Sequence, residues 1–223
     1  MKVTLINYSQ PTEEMQLEGI NNCQDMIAFC ARVSNPANQF NTQTAEKLIN
    51  SLVRDMHWSV FEMCSVTLEI ETTRDIARQM LRHRSFSFQE FSQRYADPTA
   101  LTNSFVLREA RLQDTKNRQN SIVISDEALQ AEWNVKQQEV IDAAKAAYDW
   151  ARSKEIAKEQ ARCVLPEGNT ISRLYMNGTI RSWIHYVSLR SHNGTQLEHM
   201  EIAKTCAEAI SKIFPMITTY VGE

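Results

Sequence analysis

The sequence predicts an α+β fold, in which a single domain over residues 1–223 combines a mixed or antiparallel sheet with flanking helices. Two stretches, 64–71 and 170–176, alternate apolar and polar residues with a period of two, which is typical of half-buried strands. Other tracts carry apolar residues at helical spacing. Hydrophobic residues make up 43% of the chain and charged residues 23%, a globular balance that excludes wholesale disorder and collagen-like repeats.

The N-terminal third is patterned as alternating strands and helices. Leu48, Leu52 and Met56 share one face of an amphipathic helix. Thr72 and Asp75 resemble a capping box, so a helix is expected to begin near residue 73. In order, the predicted elements are a strand at 2–8, a helix within 19–33 that ends before Pro36, a helix at 44–56, a strand at 64–71 and a helix from about residue 73.

The rest of the chain begins with an extended segment and is mostly helical after it. Asn177-Gly178 is a turn signal, and Thr195 with Glu198 resembles another capping box. In order, the predicted elements are an extended segment from residue 85 to Asp97-Pro98, a short strand at 121–124, a helical tract at 125–165 interrupted near 152–153, a strand at 170–176, a helix at 179–190 and a last helix from 195 to Pro215.

Glycine usage excludes two common phosphate-binding loops. The chain has five glycines, and none are close enough to form G-x-G-x-x-G or G-x-x-x-x-G-K. If the protein binds a nucleotide, side chains must therefore hold the phosphate. The net charge of −3 excludes a chain that is basic throughout and would bind nucleic acid by charge alone.

Several features favour a cytoplasmic protein without a membrane segment or a metal site. The first ten residues contain too short an apolar run for a signal peptide, and no apolar run of 18 residues exists. The five cysteines form no C-x-x-C pair, which indicates free thiols in a reducing compartment. The five histidines show neither an H-E-x-x-H motif nor the spacing of a zinc site.

Arginine is concentrated in one region. Five of the fifteen arginines, namely Arg74, Arg78, Arg82, Arg84 and Arg94, fall within 21 residues. The first three repeat every four residues, so they are expected to share one face of a helix. A guanidinium offers a planar set of donors that suits phosphate and pyrimidine edges, so this cluster is a candidate binding site. The alternative is an exposed, charged helix end.

The segment RHRSFSFQEFSQRY, residues 82–95, favours a site over an exposed helix end. Its small hydroxyl residues alternate with aromatic ones, which indicates an extended chain. In that conformation Glu90, Ser92 and Arg94 would point to the same side. A solvated helix end does not need the interleaved rings of Phe86 and Phe88.

The same segment resembles the signature of the flavin-dependent thymidylate synthases, R-H-R-x-x-S-x-x-x-x-S-x-R. Other parts of the chain also resemble this family, so that the similarity extends over about residues 28–202. The positions that match the signature are Arg82, His83, Arg84, Ser87, Ser92 and Arg94. The other similar segments are ARVS at 31–34, HWSVFE at 57–62, ARCVLP at 161–166, R-x-W-x-H at 181–185 and LR at 189–190.

The resemblance implies a specific reaction. Members of this family convert dUMP to dTMP, with methylenetetrahydrofolate as the methylene donor and FADH2, regenerated by NADPH, as the hydride donor. They are homotetramers whose sites are shared between subunits. Small molecules, and neither nucleic acid nor a membrane, are therefore the expected partners.

The resemblance also implies roles for individual residues. The flavin is expected to contact Ser59, Arg82, His83, Arg84, Glu90, Thr179, Arg181 and His185. The nucleotide dUMP is expected to contact Gln79, Arg82, Glu90, Phe91, Ser92, Gln93, Arg94 and Arg162. Arg190 would lie against the pyrimidine as the catalytic residue and favour ionisation at N3, because a fixed guanidinium stabilises that anion. His57 would lie in the substrate site near the folate.

Two other functions remain as alternatives, namely an NADPH-dependent flavoprotein reductase without methyl transfer and a nucleic-acid binder that uses the arginine cluster. Within the leading hypothesis, no cysteine is expected to act as the nucleophile. Cys163 follows Arg162, but the Val-Leu-Pro after it indicates a packed position rather than a reactive one. Ser92 is expected to bind the nucleotide and not to attack it.

Overall fold

The computed structural model describes residues 1–98, 101 and 104–222. Six strands and eight α-helices are formed by these residues, together with short 3₁₀ turns. The strands are β1 (Lys2–Tyr8), β2 (Ser65–Thr73), β3 (Ser87–Glu90), β4 (Arg111–Gln113), β5 (Ser121–Val123) and β6 (Ile171–Thr179). The helices are α1 (Glu13–Leu17), α2 (Cys23–Ala31), α3 (Ala45–Arg54), α4 (Arg74–Met80), α5 (Glu127–Ser153), α6 (Lys158–Ala161), α7 (Ile180–Arg190) and α8 (Leu197–Ser211).

Four of the strands form one sheet, in the order β1-β2-β6-β3. The other two, β4 and β5, form a separate antiparallel pair in which Leu112 lies opposite Ile122. This combination of sheet and helices confirms the predicted α+β fold. The strand predicted at 121–124 is confirmed as β5, whereas its partner β4 was not predicted.

The alternation that predicted β2 reflects its two faces. Val66, Leu68 and Ile70 are fully buried, whereas Thr67 and Glu69 between them are only half-buried. Burial of three branched side chains on one face contributes about 1.5–3 kcal/mol each, which fixes the register of the strand. The same alternation continues in β6.

The predicted turn at Asn177-Gly178 is wrong, because both residues lie inside β6. The Asn177 amide nitrogen donates a hydrogen bond to the Thr67 hydroxyl at 2.7 Å, so this side chain bonds across the sheet and not within a turn. At Gly178 the ring of Phe86 occupies the place of a side chain. A Cβ there would lie 2.4 Å from Phe86 Cδ1, so glycine is required for this contact.

Both predicted capping boxes are one residue out of place. Helix α4 begins after Thr73 as its N-cap residue, while Thr72 is fully buried in β2. The Thr73 hydroxyl donates to the Asp75 carboxylate at 2.6 Å, so this threonine takes the place expected for its neighbour. Helix α8 likewise has Gln196 and not Thr195 at its N-cap.

The other predicted helices are confirmed within a few residues. Helices α2, α3, α5 and α7 lie inside the segments predicted at 19–33, 44–56, 125–165 and 179–190. The interruption expected near 152–153 is the end of α5 at Ser153. Helix α1, at Glu13–Leu17, was not predicted, because five residues are too few to show a helical period.

Three helices end in the same way, because the second residue after the last helical one has a left-handed backbone conformation. These residues are Gly19 after α1, Met56 after α3 and Glu155 after α5, with φ angles of 88°, 59° and 58°. After α3, the backbone N–H of His57 donates to the Leu52 carbonyl at 2.8 Å, the six-to-one bond of a Schellman motif. The end of α3 thereby fixes where the HWSVFE segment begins.

The described chain divides into two compact units. Unit 1 comprises Met1, Glu71–Arg82 and Gln89–Leu174, and unit 2 comprises Lys2–Ile70, His83–Phe88 and Tyr175–Glu223. Each unit draws on segments that are far apart in sequence, and the single domain over 1–223 stays a prediction. No helix formed by the described residues is long and apolar enough to cross a membrane.

Candidate active site

A hydrogen bond in unit 2 joins a residue of the RHR segment to a residue of the LR segment at 189–190, more than 100 positions later in the sequence. Arg190, the last residue of α7, donates from Nε to His83 Nε2 at 2.9 Å. Because a guanidinium has only donors, Nε2 must accept, and the His83 imidazole is therefore neutral with its proton on Nδ1. The predicted catalytic arginine is thus held by the histidine of the RHR motif.

A group of buried rings packs against this pair. The rings of His83 and Tyr186 meet edge to face with centroids 5.0 Å apart, and the Tyr186 hydroxyl lies 3.1 Å from His199 Nε2. Burial, followed by the positive charge of Arg190, lowers the pKa of His199 to about 3. Burial also raises the pKa of the Tyr186 phenol. At neutral pH both groups are therefore uncharged, and the hydrogen bond between them is a neutral one.

His199 was not among the residues predicted for the site. It lies in α8 and is fully buried. A lone histidine in a sequence gives no signal of this kind, because the tyrosine that it contacts is 13 residues away on another helix. Only the packing of α8 against α7 brings the two side chains together.

Two further motifs from the sequence meet in unit 2. Within HWSVFE, the ring of Trp58 lies 4.7 Å from that of His185, and Glu62 accepts a hydrogen bond from Arg181 Nη1 at 2.5 Å. Partial burial, followed by the charge of Arg181, lowers the pKa of His185. The R-x-W-x-H element of α7 is therefore adjacent to the turn that carries Ser59.

His57 and Ser59 are exposed on this turn, one on each side of Trp58. Thr179 has a structural task as the N-cap of α7, where its hydroxyl accepts a hydrogen bond from the Ser182 backbone at 3.3 Å. The Ser182 hydroxyl in turn donates to the Ser85 carbonyl at 3.2 Å, which ties the first turn of α7 to the RHR segment. The contacts that Ser59 and Thr179 are expected to make with the flavin stay predictions.

In unit 1, the arginines of α4 form ion pairs with carboxylates. Arg74 lies 3.4 Å from both Glu90 and Glu167, and Arg78 also pairs with Glu167. The hydrogen bond from Arg78, supported by the charge of Arg74, lowers the pKa of Glu167. These two arginines are therefore engaged within the protein. The predicted face of three arginines is wrong, because α4 ends at Met80 and Arg82 lies beyond it.

Other arginines are available for ligands. Within the described chain, the side chains of Arg82, Arg84 and Arg162 make neither a hydrogen bond nor an ion pair. Arg82 and Arg84 are exposed, while Arg162 is half-buried. Arg94 forms an exposed ion pair with Glu159 at 3.5 Å, which is weak enough for a phosphate to displace. Within the arginine cluster, Arg74 and Arg78 are therefore held by carboxylates of the protein, whereas Arg82 and Arg84 are available to bind a ligand.

The extended conformation predicted through residue 97 stops at Glu90, the last residue of β3. The backbone N–H groups of Tyr95 and Ala96 bond to the Ser92 carbonyl at 3.1 and 3.0 Å, which forms a turn. The Ser92 hydroxyl accepts from the Arg94 backbone N–H at 3.3 Å. A serine that bonds its own turn in this way cannot keep the alternation of a strand, so the predicted common side of Glu90, Ser92 and Arg94 is wrong.

Gln93, within this turn, carries a buried donor that lacks a partner. Its side chain is only 3% exposed, and its Nε2 makes no hydrogen bond to any described residue. A buried donor left unsatisfied costs about 1–3 kcal/mol, so some other group is expected to complete it. Its neighbour Phe91 is held by a backbone bond to Arg173 at 2.8 Å, and Gln79 is half-buried on α4.

The five cysteines differ in exposure, and the absence of a cysteine nucleophile stays a prediction. Cys23, Cys64 and Cys206 are buried. The hydrogen bond between Cys23 and Cys64 lowers the pKa of the Cys23 thiol and, together with burial, raises that of Cys64. Burial raises the pKa of the Cys206 thiol. The expectation that Cys163 is packed is wrong, because the 3₁₀ turn at Arg162–Val164 leaves it exposed. Among the described residues, no group of three or more His, Cys, Asp or Glu side chains could hold a metal ion.

Comparison with known families decides where the chain belongs. A family profile described as "Thymidylate synthase complementing protein" matches residues 17–216. The chain belongs to this family. It is 46% identical over 217 residues to a probable flavin-dependent thymidylate synthase of Paramecium bursaria Chlorella virus 1, with 97% of each chain covered. It is 47% identical, with the same coverage, to a flavin-dependent thymidylate synthase of Synechocystis.

A solved structure shares the fold. A UMP/dUMP methylase from Streptomyces cacaoi, crystallised with 5-Br dUMP, aligns with a TM-score of 0.79 and 25% identity. The alignment covers 98% of this chain and 93% of that one. The resemblance that began from the RHR segment is therefore confirmed for the family and for the α+β fold.

Proposed function

We propose that this protein is a flavin-dependent thymidylate synthase, which methylates dUMP to dTMP. The family and the names of its relatives support this reaction. The observation that carries the proposal is the contact of Arg190 with His83, because it joins the RHR signature to the arginine expected at the pyrimidine.

The chemistry requires a nucleophilic carbon at C5 of the pyrimidine. Loss of the N3 proton makes the ring electron-rich and activates C5, and a nearby guanidinium stabilises the resulting anion. His83 holds Arg190 without neutralising it, because a neutral imidazole accepts a hydrogen bond but carries no negative charge. In this role Arg190 presents a full positive charge to the nucleotide.

The side chains of unit 2 fit a bound flavin. Arg84 is exposed and unengaged within the described chain, so it is suited to the pyrophosphate of FAD. His83, Arg181 and His185 lie in the same unit and offer polar groups to the ring system. When bound, the flavin supplies the hydride that reduces the transferred carbon. NADPH as its reductant, and methylenetetrahydrofolate beside His57 as the carbon donor, belong to the proposal.

The unengaged groups of unit 1 fit the nucleotide. Arg82 and Arg162 have free guanidinium groups among the described residues, and the weak pair of Arg94 can be displaced. The unsatisfied amide of Gln93 offers a further donor to a phosphate or carbonyl oxygen. These side chains replace the glycine loop that the sequence lacks. A homotetramer with sites shared between subunits completes the proposal.

Transfer of tritium from [5-³H]dUMP to water, with methylenetetrahydrofolate and NADPH present, tests the proposal. The purified protein should carry flavin absorbance, release tritium and form dTMP, and Arg190→Ala should lower kcat/KM by at least about 100-fold. Arg54→Ala is the matched control, because it removes an exposed arginine that contacts its helix neighbours Ser51 and Asp55, and it should leave the rate unchanged.

The alternatives give different results in the same assay. Oxidation of NADPH without tritium release would indicate a reductase and would contradict methyl transfer. Because one structural neighbour is named a UMP/dUMP methylase, UMP is the second candidate substrate, and faster turnover of UMP than of dUMP would favour it.

A variant with all five cysteines replaced by alanine should remain active if it folds. Loss of the chemical step alone would contradict the absence of a cysteine nucleophile.

A further inference from the structure

Glu90 is held at one of its two carboxylate oxygens. The Ser172 hydroxyl donates to Oε1 at 2.7 Å, and Arg74 Nη1 lies 3.4 Å from the same atom. The other oxygen, Oε2, makes no hydrogen bond within the described chain. The carboxylate therefore has one oxygen fixed by the protein and one oxygen open.

The residues that hold Glu90 are themselves rigid. Ser172 is fully buried in β6, and the side chain of Arg74 is only 11% exposed. Arg74 also bonds to the Glu167 carboxylate at 3.4 Å, and its backbone N–H donates to the Thr170 carbonyl at 2.9 Å. A buried serine has few alternative rotamers, so its hydroxyl fixes the direction in which the carboxylate points.

The backbone of Glu90 is fixed as well. Glu90 ends β3, and the next residue, Phe91, donates its N–H to the Arg173 carbonyl at 2.8 Å. The side chain of Glu90 is 22% exposed, so it is accessible even though its partners are not. A charged acceptor fixed on both sides and open at one oxygen is suited to a hydroxyl or N–H donor of a ligand.

We propose that Ser172 is a positioning residue, which orients Glu90 so that Oε2 accepts a hydrogen bond from a bound ligand. This inference rests on the proposed function, because it requires a nucleotide or a flavin at Glu90. Both ligands carry suitable donors, namely a deoxyribose or ribityl hydroxyl and a ring N3–H. Ser172 itself touches neither ligand and acts only through the carboxylate.

Equilibrium binding to the full-length protein tests the inference. Ser172→Ala removes the hydroxyl with little change in volume, and it should weaken the binding of one ligand about 10- to 150-fold, the effect of one lost hydrogen bond to a charged group. FAD binding to the flavin-free protein and dUMP binding to the flavin-loaded protein are measured separately. The ligand that loses affinity is the one that Glu90 contacts.

A second substitution separates positioning from a merely structural effect. In the Glu90→Gln variant the carboxylate is already absent, so adding Ser172→Ala should weaken binding less than about 2-fold further. Equal losses in both backgrounds would overturn the inference. An effect of Ser172→Ala on the unfolding midpoint with no effect on either ligand would also overturn it.

Thr72→Val provides the matched control in the same unit. Thr72 is also fully buried, but its hydroxyl has no partner among the described residues, so this variant should bind both ligands as the unaltered protein does. Because binding is the readout, the result does not depend on turnover. A protein that binds dUMP and FAD but transfers no methyl group would contradict the proposed function and still decide the role of Ser172.

Discussion

At Arg190, the choice of hydrogen-bond partner decides how much charge reaches a ligand. A carboxylate partner would neutralise the guanidinium, as Glu167 does for Arg78. His83 instead provides a neutral acceptor at 2.9 Å. The positive charge is therefore oriented but not offset, which is the condition under which it best stabilises an anion.

This distinction predicts a graded set of His83 variants. His83→Gln supplies a neutral acceptor near the position of Nε2, so it should lower kcat/KM for dUMP less than about 10-fold. His83→Leu removes the acceptor and should lower it about 100-fold, because Arg190 is then free to move. Both variants must retain flavin absorbance for the comparison to hold. Equal losses in Gln and Leu would contradict this role for His83.

The buried His199 predicts a loss of stability in acid. Its pKa is lowered to about 3 in the folded protein, whereas the unfolded chain takes up a proton below about pH 6.5. Stability from this residue is therefore present above pH 6.5 and is lost as the pH falls, by about 1.4 kcal/mol between pH 8 and pH 5.5.

Urea unfolding at the two pH values measures this effect. His199→Gln keeps a partner for the Tyr186 hydroxyl but does not titrate, so its free energy of unfolding should fall less on acidification, by about that amount. The other titrating groups are common to both proteins and cancel in the comparison. The same pH dependence in both proteins would contradict a neutral, buried His199.

At the scale of elements, the shared helix ending explains where several loops begin. After α5, as after α3, the chain closes a Schellman motif: Ile156 donates its N–H to the Ala151 carbonyl at 3.0 Å, and its side chain packs against the buried Tyr148 and Ala151. Glu155, which lies between, has a φ of 58° and bears the strain of a side chain in a conformation that suits glycine.

Glu155→Gly is therefore expected to raise the free energy of unfolding by about 0.5–1 kcal/mol, since relief of strain outweighs the added chain entropy. Lys154→Gly, one residue earlier at a φ of −97°, is the control and should lower stability instead. Thermal or urea unfolding distinguishes the two directions. Destabilisation by both variants would show that Glu155 is not strained.

The elements also show how far patterning alone predicts the fold. The alternation of β2 and β6 and the helical period of α3, α5 and α7 are local signals, so the sequence predicts these elements. Thr73 and Gln196 as cap residues, and Asn177-Gly178 inside a strand, depend on neighbours in space. Local pattern cannot distinguish adjacent threonines or detect a ring over a glycine.

In the candidate site, too, some residues could be predicted from the sequence and others could not. The residues of the RHR signature could be named from the sequence because the motif is contiguous. Ser172 and His199 could not, since each is a common residue type in an ordinary element, and its partner lies on another element. The arginine cluster was found by counting, but only the ion pairs with Glu167 separate Arg74 and Arg78 from the unengaged members.

At the scale of the whole molecule, the predicted ligand contacts separate between the two units. All the residues assigned to dUMP except Arg190 lie in unit 1, whereas the residues assigned to the flavin, apart from Arg82 and Glu90, lie in unit 2. One further feature bears on assembly. Leu129, Trp133 and Val140 share one exposed face of α5 by helical spacing.

We expect this face of α5 to be covered in a homotetramer. Sedimentation equilibrium should then give a mass near 100 kDa, about four times the 25.7 kDa of one chain. Trp133→Glu should lower that mass, because a charge cannot be buried unpaired at an interface. Asp142→Lys, an exposed change on the other side of the same helix, is the control and should leave the mass unchanged. A monomer of the unaltered protein would contradict the prediction.

The uneven exposure of the cysteines makes this protein convenient for spectroscopy. Of the five thiols, only Cys163 is exposed, while Cys30 is half-buried and the other three are buried. A maleimide dye or a fluorinated tag should therefore attach at one position without any engineered substitution. That position adjoins Arg162, so the emission or chemical shift of the label would report directly on whether a phosphate has arrived there.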